Sequence, residues 1–206
     1  MKPTPAQLRA LARRDPPLGA AMKRVPLFPT MPPPLLRGSN FHTIARSIVY
    51  QQLATAAART IYGRVREHTA DKGFPTAGQL LALPEGSLRG AGLSGAKTKA
   101  ILDLATKVES GELRLGGLGR LADDEIVRRL TTVWGIGEWT AQMFLIFKLG
   151  RLDVMPSNDL GVQEGLRRLD GLVERPESDE LLARAELWRP LRSVASWVLW
   201  RLTDKD

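Results

Sequence analysis

The sequence predicts an all-α fold, and three observations predict it. Apolar residues recur at three- and four-residue steps along most of the chain, no segment shows the period-2 alternation of a half-buried strand, and the breaks fall at short glycine or proline clusters. With 206 residues and 43% hydrophobic content, the chain suffices for one domain or for two small lobes sharing a core. Cysteine is absent, which excludes disulfides, iron–sulfur clusters and thiolate metal sites. His42 and His68 are too few imidazoles for a histidine-built metal centre. Thirty Lys and Arg against 22 Asp and Glu leave a net charge of +8. That sign favours a polyanionic partner, nucleic acid being the commonest, although a basic surface without a specific partner is equally compatible with it.

The elements follow in order. "MKPTPAQLRALARRDPP" has no signal-type apolar core, and no stretch approaches membrane-span length, so a soluble cytoplasmic protein without a membrane partner is expected. A short helix fits 6–13, and the proline-rich lead-in "PLFPTMPPPLLRG" packs in pieces. From an N-cap at Ser39 or Asn40, Phe41, Ile44 and Ile48 mark one helix, and Ala57, Ile61 and Val65 mark the next. "YQQLAT" is their junction. Thr76 opens a shorter helix through "AGQLLAL". "GAGLSGAKTKAILDLATKVESG" is a glycine-rich turn, then a helix with Ile101, Leu104 and Val108 inward, ended by Gly111. Asp123, Asp124 and Glu125 suit the first turn of the helix after "RLGGLGRL". "WGIG" stops that helix, and a new one is expected over 138–149 with Gly150 as terminator. Asn158 or Asp159 starts another, and "SDELLARAELWRPLRSVASWVLWRL" makes a final pair broken at Pro190.

Gly135 and Gly137 interrupt what otherwise reads as one long helix. A single glycine there is an ordinary C-cap. Two glycines flanking one aliphatic residue fit a tight hairpin whose backbone N–H groups, unobstructed by Cβ atoms, can hold an anion while Ile136 tucks inward. Such a grip is indifferent to sequence and suits DNA phosphate. A plain helical corner remains the competing reading.

Five segments then resemble one family, in the right order over roughly residues 39–201. "LTTVWGIGEWTA" resembles the helix–hairpin–helix of the DNA glycosylase superfamily that couples this hairpin to a Gly/Pro-rich loop and an aspartate. "SIVYQQLATAAA" is similar to the segment carrying the residues that plug the duplex, and "GLSGAKTKAILDLA" to the turn and helix that follow. "DVMPSNDLGVQEGL" resembles the aspartate segment, and "LWRPLRSVASWVLW" the closing helix of the alkylbase branch. The branch implied is the 3-methyladenine DNA glycosylase II type. Residues 1–38 are too few for the N-terminal β-rich domain of its familiar bacterial member, so the resemblance is to the compact helical form. It implies a two-lobed fold with the active-site cleft between lobes: one lobe at about 42–148 including the hairpin at 133–137, the other at about 1–41 plus 149–206. The implied partner is double-stranded DNA containing alkylated bases, the implied state is a monomer, and no cofactor is implied beyond a structural Na+ or K+ at the hairpin.

The resemblance also assigns roles. Asp159 becomes the catalytic carboxylate, ahead of Asn158 and Asp153, because Leu160, Gly161 and Val162 follow it in register. Spacing alone equally allows Asp159 to be only the cap of "LGVQEGLRRL", and the two roles are compatible, since the positive end of a helix favours negative charge. Trp139 stands where the strand-cleaving branch carries a lysine nucleophile, so no Schiff base can form from that position. Trp139 and Trp200 become aromatic walls of the base pocket, where an indole face attracts a positively charged alkylated purine. For Trp200, core packing at a helix end is the alternative. Met143, one turn beyond Trp139, replaces an aromatic of the best-known relative and points to a roomier pocket. Gln52 becomes the wedge that fills the space of the flipped base, with Gln51 and Leu53 the neighbours in an uncertain register and a solvated polar junction the alternative. Gly135, Ile136, Gly137 and Thr140 become phosphate contacts with Lys97, and Arg192 is a further candidate. The carbonyls of Thr131, Val133 and Ile136 become the ligands of the hairpin cation.

Rival readings differ in identifiable residues. A non-catalytic hairpin module would keep Gly135 and Gly137 but have no use for Asp159 with Trp139 and Trp200. "GAGLSGAKT" is no P-loop, because Ala96 separates glycine from lysine and no strand precedes it. A glycosylase of other base specificity stays open, but the absence of cysteine excludes the cluster-bearing types.

Overall fold

Side-chain caps set where several of these helices begin. The structure, a computed structural model, describes residues 2–26, 28–31, 33, 36, 38–69 and 73–204. Of the proline-rich lead-in, 27, 32, 34, 35 and 37 lie outside the described residues. Helix α1 (Pro5–Arg14) opens on a capping box in which Gln7 N–H donates to Thr4 Oγ1 and Thr4 N–H to Gln7 Oε1. Helix α2 (Pro16–Met22) was not expected from so proline-rich a stretch. Pro16 and Pro17 occupy its first positions, where a missing N–H matters least, and Asp15 caps it through Leu18 N–H at 3.0 Å.

Ser39, rather than Asn40, caps α3 (Asn40–Tyr50), and α4 (Thr55–Arg66) follows the expected junction. Thr76 and Gln79 form the box that opens α5 (Ala77–Leu81). The one-turn α6 (Ser87–Gly90) is too short to leave a periodic signature. Ser94 caps α7 (Gly95–Glu109), whose Ile101 and Leu104 are buried as expected while Val108 is half-buried. Helix α8 (Asp123–Leu130) carries its three acids in the first turn. After the hairpin comes α9 (Glu138–Met143), and the single helix expected over 138–149 instead becomes a π-turn at Phe144–Lys148. Apolar periodicity does not distinguish the two, because a π-turn inserts a residue without altering composition. Helices α10 (Leu160–Asp170), α11 (Ser178–Ala185) and α12 (Arg192–Leu202) complete the chain, with a 3-10 turn at Glu186–Trp188. Among the described residues there is no strand, and no helix is long and apolar enough to cross a membrane.

The chain divides into two units, Leu36–Phe144 and Met1–Leu35 with Leu145–Asp206. In the first, α7 is central: α3, α5 and α6 pack on it, α4 packs on α3, and α8 meets α9. Ile44, Ile48, Leu80, Leu93, Ile101, Leu104 and Leu118 fill this core. In the second, α10 and α12 pack along their lengths with α2 against both. Gly165 permits that approach, because a Cβ there would lie 2.3 Å from the Leu199 carbonyl oxygen. The same unit buries an ionic group. Asp15, 2% exposed, accepts from Trp188 Nε1 at 2.6 Å and pairs with Arg184 at 2.6 Å, while Arg184 also holds Asp170. Burial by itself would raise the Asp15 carboxyl, but Arg184, the Leu18 N–H and the Trp188 indole outweigh it and hold the group below its usual range.

Gly165→Ala forces backbone against backbone and should destabilise by about 2–3 kcal/mol, read as a lower urea midpoint. Asp15→Asn should cost about 2 kcal/mol near neutral pH, since the cap survives but the charge facing Arg184 is lost. Because the folded carboxyl titrates lower than the unfolded one, this contribution is complete above the ordinary carboxylate range and is lost as pH falls through it. The gap between variant and wild type in urea melts should therefore close at acid pH; a gap equally wide at pH 3 and pH 7 contradicts the assignment.

Candidate functional site

The hairpin is built from turns that the two glycines make possible. Val133 and Ile136 are buried, and Ile136 N–H donates to the Val133 carbonyl at 3.1 Å, closing the turn with Ile136 inward. Gly135 sits at φ 79°, and a Cβ on it would press against Ala100 Cβ at 3.2 Å. Gly137 differs: it precedes α9 at φ −93° in extended backbone, and a Cβ there would meet nothing within 4 Å. The fold therefore demands glycine at 135 and not at 137, where a Cβ would stand in open space. Trp134 N–H donates to Asp103 Oδ2 on α7 at 2.7 Å, tying the hairpin to the core, and Lys99 Nζ lies 4.4 Å from the Trp134 ring centre. Burial alone would raise the Asp103 carboxyl, yet Lys107, the Trp134 N–H and Lys99 together keep it below its usual range. Sequence reasoning missed Asp103; its placement one turn from both Lys99 and Lys107 on α7 was the available signal.

The expected phosphate contacts separate into two groups. The Thr140 side chain is buried and its Oγ1 accepts from Gln51 Nε2 at 3.2 Å, which leaves backbone as this residue's means of meeting an anion. Lys97 Nζ donates to the carbonyls of Val49 at 2.7 Å and Gln51 at 2.6 Å. Arg192 is engaged within the protein: Asp153 holds its guanidinium through Nε at 2.9 Å and Nη2 at 3.1 Å, so two facing charges offset one another. This pairing also occupies Asp153. The carbonyls of Thr131, Val133 and Ile136, the expected cation ligands, follow the C-terminal end of α8, and that of Val133 accepts from the Ile136 N–H.

The turn between α3 and α4 distinguishes its three residues. Gln51 points back into the protein, with Nε2 donating to the Gly135 carbonyl at 3.3 Å and to Thr140 Oγ1. Gln52 is exposed and stands at φ 52°, the one non-glycine residue in the left-handed region among those described. Leu53 is 39% exposed. Gln52, Trp139, Met143, Gly137 and Lys97 line one cavity of about 620 Å³ in this unit, together with Tyr50 and Arg46. Arg46 stacks on Tyr50 with its Cζ 3.9 Å from the ring centre, a pair that the sequence did not flag. Trp139 presents 45% of its surface.

In the other unit, Asp159 is the N-cap of α10. Its Oδ1 accepts from Val162 N–H at 2.9 Å and from Trp200 Nε1 at 2.9 Å, which fixes the plane of the carboxylate. Trp200 in turn stacks on Phe147 from the π-turn, with ring centres 5.8 Å apart. Gly161 makes room for this arrangement: a Cβ there would lie 3.0 Å from Trp200 Cδ1 and 3.1 Å from Asp159 Oδ1. Trp200 was expected as a base-stacking wall; what the structure adds is that its indole N–H orients the carboxylate. Asn158 is exposed beside it.

Comparison with known proteins gives the family. Residues 45–190 match the HhH-GPD superfamily base excision DNA repair protein family. The chain belongs to that superfamily. Within it, the chain falls in the 3-methyladenine DNA glycosylase branch, in the compact all-helical form. It is 33% identical over 162 residues to DNA-3-methyladenine glycosylase 1 of Schizosaccharomyces pombe, spanning 78% of this chain and 71% of that protein. The structure of the Schizosaccharomyces pombe 3-methyladenine DNA glycosylase Mag1 in complex with abasic DNA superposes with a TM-score of 0.82 at 30% identity, covering 95% of each chain. A DNA-3-methyladenine glycosidase of Bacillus halodurans gives a TM-score of 0.81 at 33% identity, covering 97% of this chain and 90% of that one. The HhH-GPD match spans the turn between α3 and α4, the hairpin and Asp159.

Gly135→Ala should lower stability by about 1–2 kcal/mol through its left-handed backbone and the Ala100 contact. Gly137→Ala should change it by less than about 1 kcal/mol. Thermal melts of the two variants check the contrast, and equal losses would contradict the distinction between a fold glycine and a site glycine.

Proposed function

We propose that the chain is a monofunctional DNA glycosylase that hydrolyses the N-glycosidic bond of alkylated purines in duplex DNA, 3-methyladenine and 7-methylguanine among them. The base is flipped out of the helix and released, leaving an abasic site. The observation that carries this reading is Asp159, oriented by the Val162 N–H and the Trp200 indole. As the bond from the sugar to the base nitrogen breaks, positive charge develops on the sugar and its ring oxygen. A carboxylate held in one orientation stabilises that charge without reorganising. The oxygen of a water molecule then bonds to the sugar carbon, its proton passes to solvent or to the carboxylate, and the alkylated purine departs as a neutral base.

The other residues act before the chemistry. The hairpin backbone at Gly135, Ile136 and Gly137 holds phosphate, and the carbonyls of Thr131, Val133 and Ile136 would hold a monovalent cation, which would supply further positive charge for the phosphate. Gln52 enters the stack and offsets the few kcal/mol that unstacking requires. The exposed Trp139 face favours a cationic base, and Met143 beside it leaves more width than a second ring. With Trp139 in place of an amine, this position offers no route to a covalent imine or to strand cleavage.

Asp159→Asn keeps an oxygen for Val162 and Trp200 and so should fold normally, while release of 7-methylguanine from a duplex falls by about 100-fold or more. Unchanged release would refute the assignment. Borohydride should trap no protein–DNA adduct, and a trapped adduct would overturn the monofunctional reading. Gly137→Ala should weaken duplex binding without loss of stability.

A further inference from the structure

We propose that Lys97 is a positioning residue for the wedge, acting through the carbonyls that shape the turn rather than on DNA phosphate; this rests on the reading of Gln52 as the residue that enters the duplex. Lys97 lies in the first turn of α7, the positive end of that helix, where a cation is electrostatically misplaced. The reason is in its contacts. Helix α3 ends at Tyr50, and the carbonyls around its end lack helical partners. Two of them, on Val49 and Gln51, converge on Lys97 Nζ at 2.7 and 2.6 Å. The ammonium thus closes the negative end of α3. Burial pulls the Lys97 ammonium below its ordinary range, the mark of a charge withdrawn from solvent.

The next residue is Gln52 at φ 52°. A non-glycine residue in this region costs about 1–2 kcal/mol and persists only where its surroundings over-determine it. Here Lys97 grips the carbonyl just before it, and the Gln51 side chain pins the same residue to the Gly135 carbonyl and Thr140 Oγ1. Wedge turn and phosphate hairpin are thereby joined through Gln51, so a hairpin seated on phosphate carries the wedge with it. Losing the ammonium orphans two carbonyls, and the turn relaxes to a conformation that no longer aims Gln52.

The test uses the whole protein and an oligonucleotide carrying one 7-methylguanine, either paired with cytosine or opposite thymine, where the base leaves the stack more easily. Lys97→Met should slow release from the paired site by about 10-fold and from the mismatched site by less than about 3-fold. The double variant with Gln52→Ala should be no slower than Gln52→Ala alone, and the salt dependence of binding to undamaged duplex should be unchanged. A salt slope reduced by about one would make Lys97 a phosphate ligand and overturn the proposal; so would additive losses in the double variant. Gln51→Leu, which keeps the ammonium but cuts the tie to the hairpin, should give the same preference for the mismatched site, and equal slowing on both substrates would count against us even if Lys97→Met fails to fold. If Gln52→Ala behaves as wild type, the wedge reading itself fails; if Gln52→Ala is slow and Lys97→Met is not, only the role of Lys97 fails.

Discussion

An α-helix leaves its first N–H groups and its last carbonyls without partners, and a fold assembled from helices of four to fifteen residues multiplies those ends. Everything distinctive in this protein is a solution to that constraint. Asp15 starts α2 and, because it is buried, draws in Trp188 and Arg184. Lys97 closes the end of α3, Asp103 takes the Trp134 N–H of the hairpin, and Asp159 starts α10. Asp159 and Lys97 sit where the backbone already required a polar atom.

Close packing determines which caps become chemically useful. Gly165 lets α10 lie against the Leu199 carbonyl, and Gly161 lets the Trp200 indole reach Asp159 Oδ1. A carboxylate serving only as a cap needs one N–H; the second donor, backed by the Phe147 stack, is what orients it. In the other unit the glycines divide differently. Gly135 is required by its own backbone and by Ala100, whereas Gly137 answers to nothing within the protein.

Much of this was legible in the chain. Ser39, Thr76 and Asp159 announce helix starts by residue type, and Pro190 announces the break before α12. Where the reading fell short, the missing information was not local. Helix α2 depends on an Asp15 cap that is also held by Arg184 and Trp188, far along the chain. The π-turn at Phe144–Lys148 leaves no trace in apolar spacing. Arg192 reads as an exposed cation until Asp153 is found beside it.

By itself the sequence determined the helical class, the hairpin, the aspartate and the absence of an amine at Trp139, because caps, turns and residue types are consequences of a few neighbouring positions. Only the tertiary structure decided that Gln51 faces inward while Gln52 faces outward, that Lys97 holds carbonyls, and that Trp200 orients Asp159. Those outcomes depend on hydrogen bonds between residues tens of positions apart. Side-chain direction at a junction is set by what the fold brings alongside it, and periodicity carries no record of that.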